Sequence, residues 1–121
     1  SRFETARLER DVAEALRRED VEAASALLVR AAERGADSDE LAFDRALVRI
    51  RRDDLAGALE LLRPIVVRAP EEARARYRKA LAYAAVHLAA LNADDPATAR
   101  ALLAEACAAG HAPACRAPIE K

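Results

Sequence analysis

The sequence predicts an all-α fold: a right-handed α-solenoid of about three helix–turn–helix units, six helices in total. Three observations carry this expectation. First, a stretch occurs twice. Residues 16–37 read LRREDVEAASALLVRAAERGAD and residues 50–71 read IRRDDLAGALELLRPIVVRAPE, an offset of 34 with no gap. Arg17, Arg18, Asp20, Ala24, Leu27, Leu28 and Arg34 return as Arg51, Arg52, Asp54, Ala58, Leu61, Leu62 and Arg68. A helical hairpin of this length buries its apolar face only against a neighbour, so its copies stack. Second, the apolar residues between the turns fall at helical spacings. Third, the chain is 53% hydrophobic but alanine-rich, with 3% aromatics, 3 glycines and no tryptophan. Small side chains with few aromatics suit helices packed side by side.

The first helix is predicted over residues 3–18, with Phe3, Leu8, Val12, Ala15 and Leu16 as its apolar stripe. Glu19 and Asp20 make the turn, and Asp20 is placed to cap the next helix. That second helix spans about 21–34 and buries Val21, Ala24, Leu27, Leu28, Ala31 and Ala32. Gly35 stops it, since glycine accepts the left-handed conformation that closes a helix. Asp37 and Glu40 have the spacing of a capping box, so a third helix starts there. Its apolar positions are Leu41, Phe43, Ala46, Leu47 and Ile50, and Asp53 and Asp54 make the next turn. The fourth helix runs over about 55–68 with Pro64 inside it. An interior proline lacks a donor and crowds the preceding turn, at a cost of about 3 kcal/mol. A kink and not a break is expected, because the repeat register continues past it. Pro70 at the first helical position, with Glu71 and Glu72 in the first turn, opens a long fifth helix reaching about Leu91. Ala99 matches Ala58 at an offset of 41, so the third unit carries seven extra residues. Seven residues are two helical turns, which leave the apolar face pointing much the same way. Asp95 caps the sixth helix, which runs from Pro96 to about Ala109 and ends at Gly110. One domain of three units follows, at about 3–36, 37–69 and 70–111, with residues 112–121 as a cap helix or tail.

Charge and hydropathy exclude some partners. The 20 Lys and Arg are balanced by 21 Asp and Glu, for a net charge of −1. No overall pull toward nucleic acid follows. The longest uncharged run, residues 80–93, is shorter than the ~20 apolar residues of a membrane span, so no membrane insertion is expected. Lysine occurs only at Lys79 and Lys121 while arginine is abundant, a bias in keeping with a GC-rich bacterial genome. The chain has no methionine, so Ser1 is read as the start of a mature, trimmed or excised piece.

These residues resemble the tetratricopeptide repeat family. In the second unit Ala46, Ala58, Leu62, Ile65 and Pro70 stand where that family places small, small, large apolar, small or apolar, and proline residues. The first unit matches at Ala24, Leu28 and Ala31 but has Val12 and Ala36 where a small residue and proline would sit. The third matches at Ala99, Leu103 and Ala106, and the tryptophan and tyrosine of the family pattern are missing from their usual places. The resemblance covers nearly all of the chain and implies a concave peptide-binding groove lined by the first helix of each unit. In that register Phe43, Leu47, Ile50 and Arg51 face the groove, with Ala13, Leu16 and Arg17 equivalent in the unit before. Arg45, Arg49, Arg74, Arg76, Arg78 and Lys79 add positive charge nearby. An apolar centre with arginine edges suits a peptide of some acidic character. The alternative is that the arginines are solvated and paired with Glu19, Asp20, Asp53 and Asp54. The asparagine-and-lysine clamp by which some members grip a chain terminus is not expected, since the one asparagine, Asn92, lies in a turn.

The last unit is also similar to Sel1-like repeats of the cysteine-rich bacterial type, in which two cysteines with seven residues between them are disulfide-linked across a helix pair. Cys107 and Cys115 have that spacing, and Gly110 and Pro113 between them let the chain turn back. Such a bond closes a short loop worth about 2–3 kcal/mol. It implies an oxidising compartment, periplasmic or extracellular. Two other readings stay open. Buried, reduced thiols in a helix interface would leave a cytoplasmic protein. A metal site with His111 lacks a clear fourth ligand, which structural zinc needs, so no metal is assigned.

No catalytic residue and no cofactor is assigned either. There is no glycine-rich phosphate loop, nucleophile elbow or Cys-x-x-Cys pair, and His87 reads as a hydrogen-bonded core or groove residue. The scattered acids are expected to pair with arginines four residues away on the same helix. The chain therefore reads as a non-catalytic scaffold that binds a peptide or partner protein in a concave groove. The alternative is a structural or dimerisation domain of a larger envelope protein, with a second copy as the partner.

Overall fold

The computed structural model of the chain describes residues 1–116. Among these residues it contains seven α-helices and no strand: α1 (Arg2–Arg17), α2 (Val21–Glu33), α3 (Asp39–Arg51), α4 (Leu55–Arg68), α5 (Glu71–Leu91), α6 (Pro96–Ala108) and α7 (Ala112–Cys115). The all-α class matches the expectation, and α7 adds one helical turn after Gly110. The rest of the expected cap or tail, residues 117–121, lies outside the described residues.

The repeat is visible in the backbone of its turns. Arg18–Glu19–Asp20 and Arg52–Asp53–Asp54 fold alike, with Glu19 at φ 60° and Asp53 at φ 63°, both left-handed and 34 residues apart. In each turn two amides reach back to close the helix. Glu19 N–H donates to the Leu16 carbonyl and Asp20 N–H to that of Ala15, as Asp53 N–H does to Ile50 and Asp54 N–H to Arg49. These are Schellman closures. The side chains of Asp20 and Asp54 then accept from Ala23 N–H and Gly57 N–H and open the following helix. Gly35 and Gly110 close α2 and α6 in the same way, at φ 72° and 100°. The third hairpin turn departs from the pattern. Asn92 to Asp95 link α5 and α6 with no left-handed residue, and Asp95 accepts from Thr98 N–H.

Several expectations need correction. Phe3 is 89% exposed. It precedes Leu8 by five residues, which rotates it roughly 140° around the helix and off the buried stripe. Ala32 is exposed as well. The cap of α3 is Ser38 and not Asp37: the Ser38 backbone is extended, and its hydroxyl accepts from Leu41 N–H at 3.1 Å. Pro70 is the cap of α5 and precedes its first helical residue, Glu71. The helix α4 runs unbroken through the exposed Pro64.

The core forms in two pools that share α3. Leu41 and Val48 of α3 pack with Leu8, Val12, Ala24 and Leu28 of α1 and α2. Phe43 and Ala46 pack with Leu59, Leu62, Tyr77 and Leu81 of α4 and α5. Leu47 borders both pools. Each helix packs against the next in sequence, and α1 with α3 and α3 with α5 also touch.

Ion pairs tie the helices together. Arg51 meets Glu19 at 3.3 Å, Arg52 meets Glu22 at 3.1 Å, Arg68 meets Asp39 at 2.8 Å and Arg63 meets Glu105 at 2.7 Å. The expected pairing four residues along one helix is not what the arginines do. Among the described pairs those within a helix sit three apart, Arg17 with Glu14 and Arg74 with Glu71. Neighbouring helices here lie close enough for long arginine side chains to reach across.

Candidate functional site

The junction of α3 and α5 brings together most of the residues singled out for the groove. Phe43, Leu47, Ile50 and Arg51 of α3 line one open cavity of about 360 Å³, with Arg76, Lys79, Ala80 and Tyr83 of α5 on its other side. They meet because positions 43, 47, 50 and 51 share one helical face, as do 76, 79, 80 and 83. Leu16 and Arg17 are not among the lining residues. Leu16 is buried in the core shared by α1, α2 and α3, and Arg17 hydrogen-bonds Glu14 on its own helix.

Phe43 has a double role. It is 6% exposed and packs on Tyr77, with the rings tilted at 38° and their centroids 4.9 Å apart. Most of the ring is core, and only its edge reaches the cavity. The Arg76 guanidinium sits 4.9 Å from the Phe43 centroid and donates to both carboxylate oxygens of Glu40, at 2.6 and 2.8 Å. The Tyr77 hydroxyl donates to Glu40 at 3.1 Å. Burial, reinforced by the Glu40 charge, pushes that hydroxyl up to about 12. Glu40 is thus a clamp between α3 and α5, and it holds Arg76 over the cavity wall.

One residue after Phe43 comes Asp44, 3% exposed, with its Oδ2 unpartnered among the described residues. Burial pushes its carboxyl up to about 7, Glu40 adds to the rise, and Arg76 opposes it. The sequence carried a signal for this residue. Asp44 falls three after Leu41 and four before Val48, both buried, so it shares their stripe.

A second cavity of about 480 Å³ adjoins the first. It lies between α5 and the turn that follows α6, and Arg78, Lys79, Tyr83, His87, Gly110 and His111 are among its lining residues. The His87 ring stacks on Tyr83 at 4.0 Å between centroids, and its Nδ1 lies 2.8 Å from the Tyr83 carbonyl oxygen. That carbonyl only accepts, so Nδ1 carries the proton and donates. Tyr83, 49% exposed, was not singled out from sequence. Its place is set by the facing of α5 toward α3, which no local pattern fixes. Arg74, counted with the ligand-facing arginines, instead donates to the Ala69 carbonyl at 2.7 Å and braces the end of α4.

Cys107 and Cys115 lie with their sulfur atoms at disulfide distance and their Cα atoms 4.8 Å apart, joining α6 to α7. Among the described residues no three His, Cys, Asp or Glu side chains are grouped to hold a metal ion. No helix of the described residues is long and apolar enough to cross a membrane. Comparison with known proteins finds no matching family model, no matching curated protein and no matching solved structure.

Proposed function

We propose that the chain is a non-catalytic binding module, a short right-handed α-solenoid of tetratricopeptide type that takes a segment of a partner protein along its α3–α5 face. One observation carries this reading: Leu47, Ile50 and the edge of Phe43 share an open cavity with Ala80 and Tyr83, and Arg51, Arg76 and Lys79 stand around it. The apolar floor supplies affinity at about 25 cal/mol per Å² covered, and the cations set the orientation of the bound segment. The solenoid is supported by the contact of α1 with α3 and of α3 with α5, as expected of a layer of first helices, and by the recurring left-handed turn at Glu19 and Asp53. The disulfide distance between Cys107 and Cys115 supports an oxidising compartment, periplasmic or extracellular.

Panning a displayed library of random peptides, each about a dozen residues long, against the immobilised chain tests the reading. Leu47 and Ile50 are half-buried, so a Leu47→Ser/Ile50→Ser variant, checked for fold by circular dichroism, is the control. Peptides selected on the parent chain are expected to lose tenfold or more in affinity for the variant. Peptides that bind both equally put the site elsewhere and contradict the proposal.

A second reading has one observation in its favour. The cavity between α5 and α6, lined by Val86, Ala89, Ala90, Ala99 and Leu103 among others, is largely apolar and could be covered by a second copy of the chain in a larger envelope protein. Sedimentation velocity over a wide concentration range separates this dimer from capture of a foreign peptide.

A further inference from the structure

The cavity against the Gly110 turn extends the groove, because Lys79 and Tyr83 line both cavities. No acidic residue lines either one, although acids outnumber Lys and Arg in the chain, 21 to 20. Arg51 and Arg76 at the first cavity, and Arg49, Arg52, Arg63 and Arg68 elsewhere, each sit against a carboxylate. Arg78 and Lys79 have no ion-pair partner among the described residues. They stand in a recess with apolar walls, Ala75, Ala82 and Val86 among them. There a fixed charge attracts its opposite more strongly than it does in open water.

The rest of the recess is held in place. His87 is fixed by its stack on Tyr83 and its bond to the Tyr83 carbonyl, which leaves Nε2 available. The His111 amide donates to the Ala106 carbonyl at 3.0 Å, and the Cys107–Cys115 pair brackets His111 in sequence. The wall opposite α5 is therefore tied to α6.

We propose that this second cavity is a carboxylate subsite of the groove: it receives an Asp or Glu side chain of the bound peptide on Arg78 and Lys79, beside an apolar residue seated on Leu47 and Ile50. The proposal rests on the peptide-binding reading given above. Arg78 offers a planar fork that can grip both carboxylate oxygens, and Lys79 adds a point charge where the two cavities meet.

The probe is the tightest peptide from the panning, compared with the same peptide in which every Asp and Glu is replaced by Asn and Gln. Fluorescence anisotropy reads both against the parent chain, an Arg78→Gln/Lys79→Gln variant and the Leu47→Ser/Ile50→Ser variant. Lys79 is exposed and Arg78 only half-buried, so the cation variant keeps the core. The expected result is an acid in the selected peptides and a tenfold or greater loss on either the amide swap or the cation change. Little further loss is expected when the two are combined. Selected peptides without an acid, or an amide swap that changes affinity less than twofold, overturn the subsite. They leave the groove intact wherever the Leu47→Ser/Ile50→Ser variant still weakens binding. An amide swap that costs as much in the Arg78→Gln/Lys79→Gln variant as in the parent also overturns it, since the acid then binds elsewhere. If no selected peptide depends on Leu47 and Ile50, the groove and the subsite fall together.

Discussion

Asp44 is where a single side chain works against the fold. It is buried without a partner for Oδ2, and a buried unpartnered charge is destabilising by roughly 1–3 kcal/mol or more. The folded carboxyl keeps its proton up to about 7, whereas an ordinary aspartate loses it near 3.8. Its contribution to stability is therefore full below about pH 4 and is lost as the pH rises through about 7. Asp44→Asn removes the charge with little change in shape. It is expected to raise stability at pH 8 by about 1–2 kcal/mol, with the gain fading by pH 4. Carboxyls held low by neighbours act in the opposite direction. Asp54, beside Arg49 and Gly57 N–H, is one of these, but it is the same in both proteins and cancels in the difference. Urea denaturation of parent and variant at the two pH values measures this, and an equal gain at both would contradict it.

At the scale of elements, α7 is the least supported piece. It is one turn long, has a single buried residue, Ala114, and packs chiefly on α6. Closing the eight-residue separation between Cys107 and Cys115 is worth about 2–3 kcal/mol. A Cys107→Ser/Cys115→Ser variant is expected to lose roughly that much. It should also exchange its amides faster from His111 to Arg116 than the oxidised parent does. Unchanged exchange in that segment would show that α7 does not depend on the bond. The helices themselves were largely legible in the sequence, because their signals are local. Asp20, Asp54 and Asp95 cap α2, α4 and α6, while Gly35 and Gly110 close α2 and α6. What was not legible depends on which neighbour covers a face. Phe3 is apolar but exposed, Asp44 is acidic but buried, and Tyr83 reaches the α3 cavity only because α5 packs there. Ser38 took the cap from Asp37 by adopting the extended backbone that a cap requires, a choice two adjacent capping residues leave open.

At the scale of the whole molecule, two core pools meet at α3, and the face that α3 shares with α5 carries the open cavity. On the proposed reading the bound segment meets packed helices, whose geometry changes little on binding. The claim that this face is the binding surface is tested most directly by mapping backbone amide shifts in NMR as the selected peptide is titrated into the isotope-labelled chain. The largest shifts are expected from Phe43 to Arg51 and from Arg76 to His87, with little change in α2. Shifts gathered instead between Ala89 and Leu103, at the apolar cleft of α5 and α6, would contradict it and move the site to the face that the dimer reading uses.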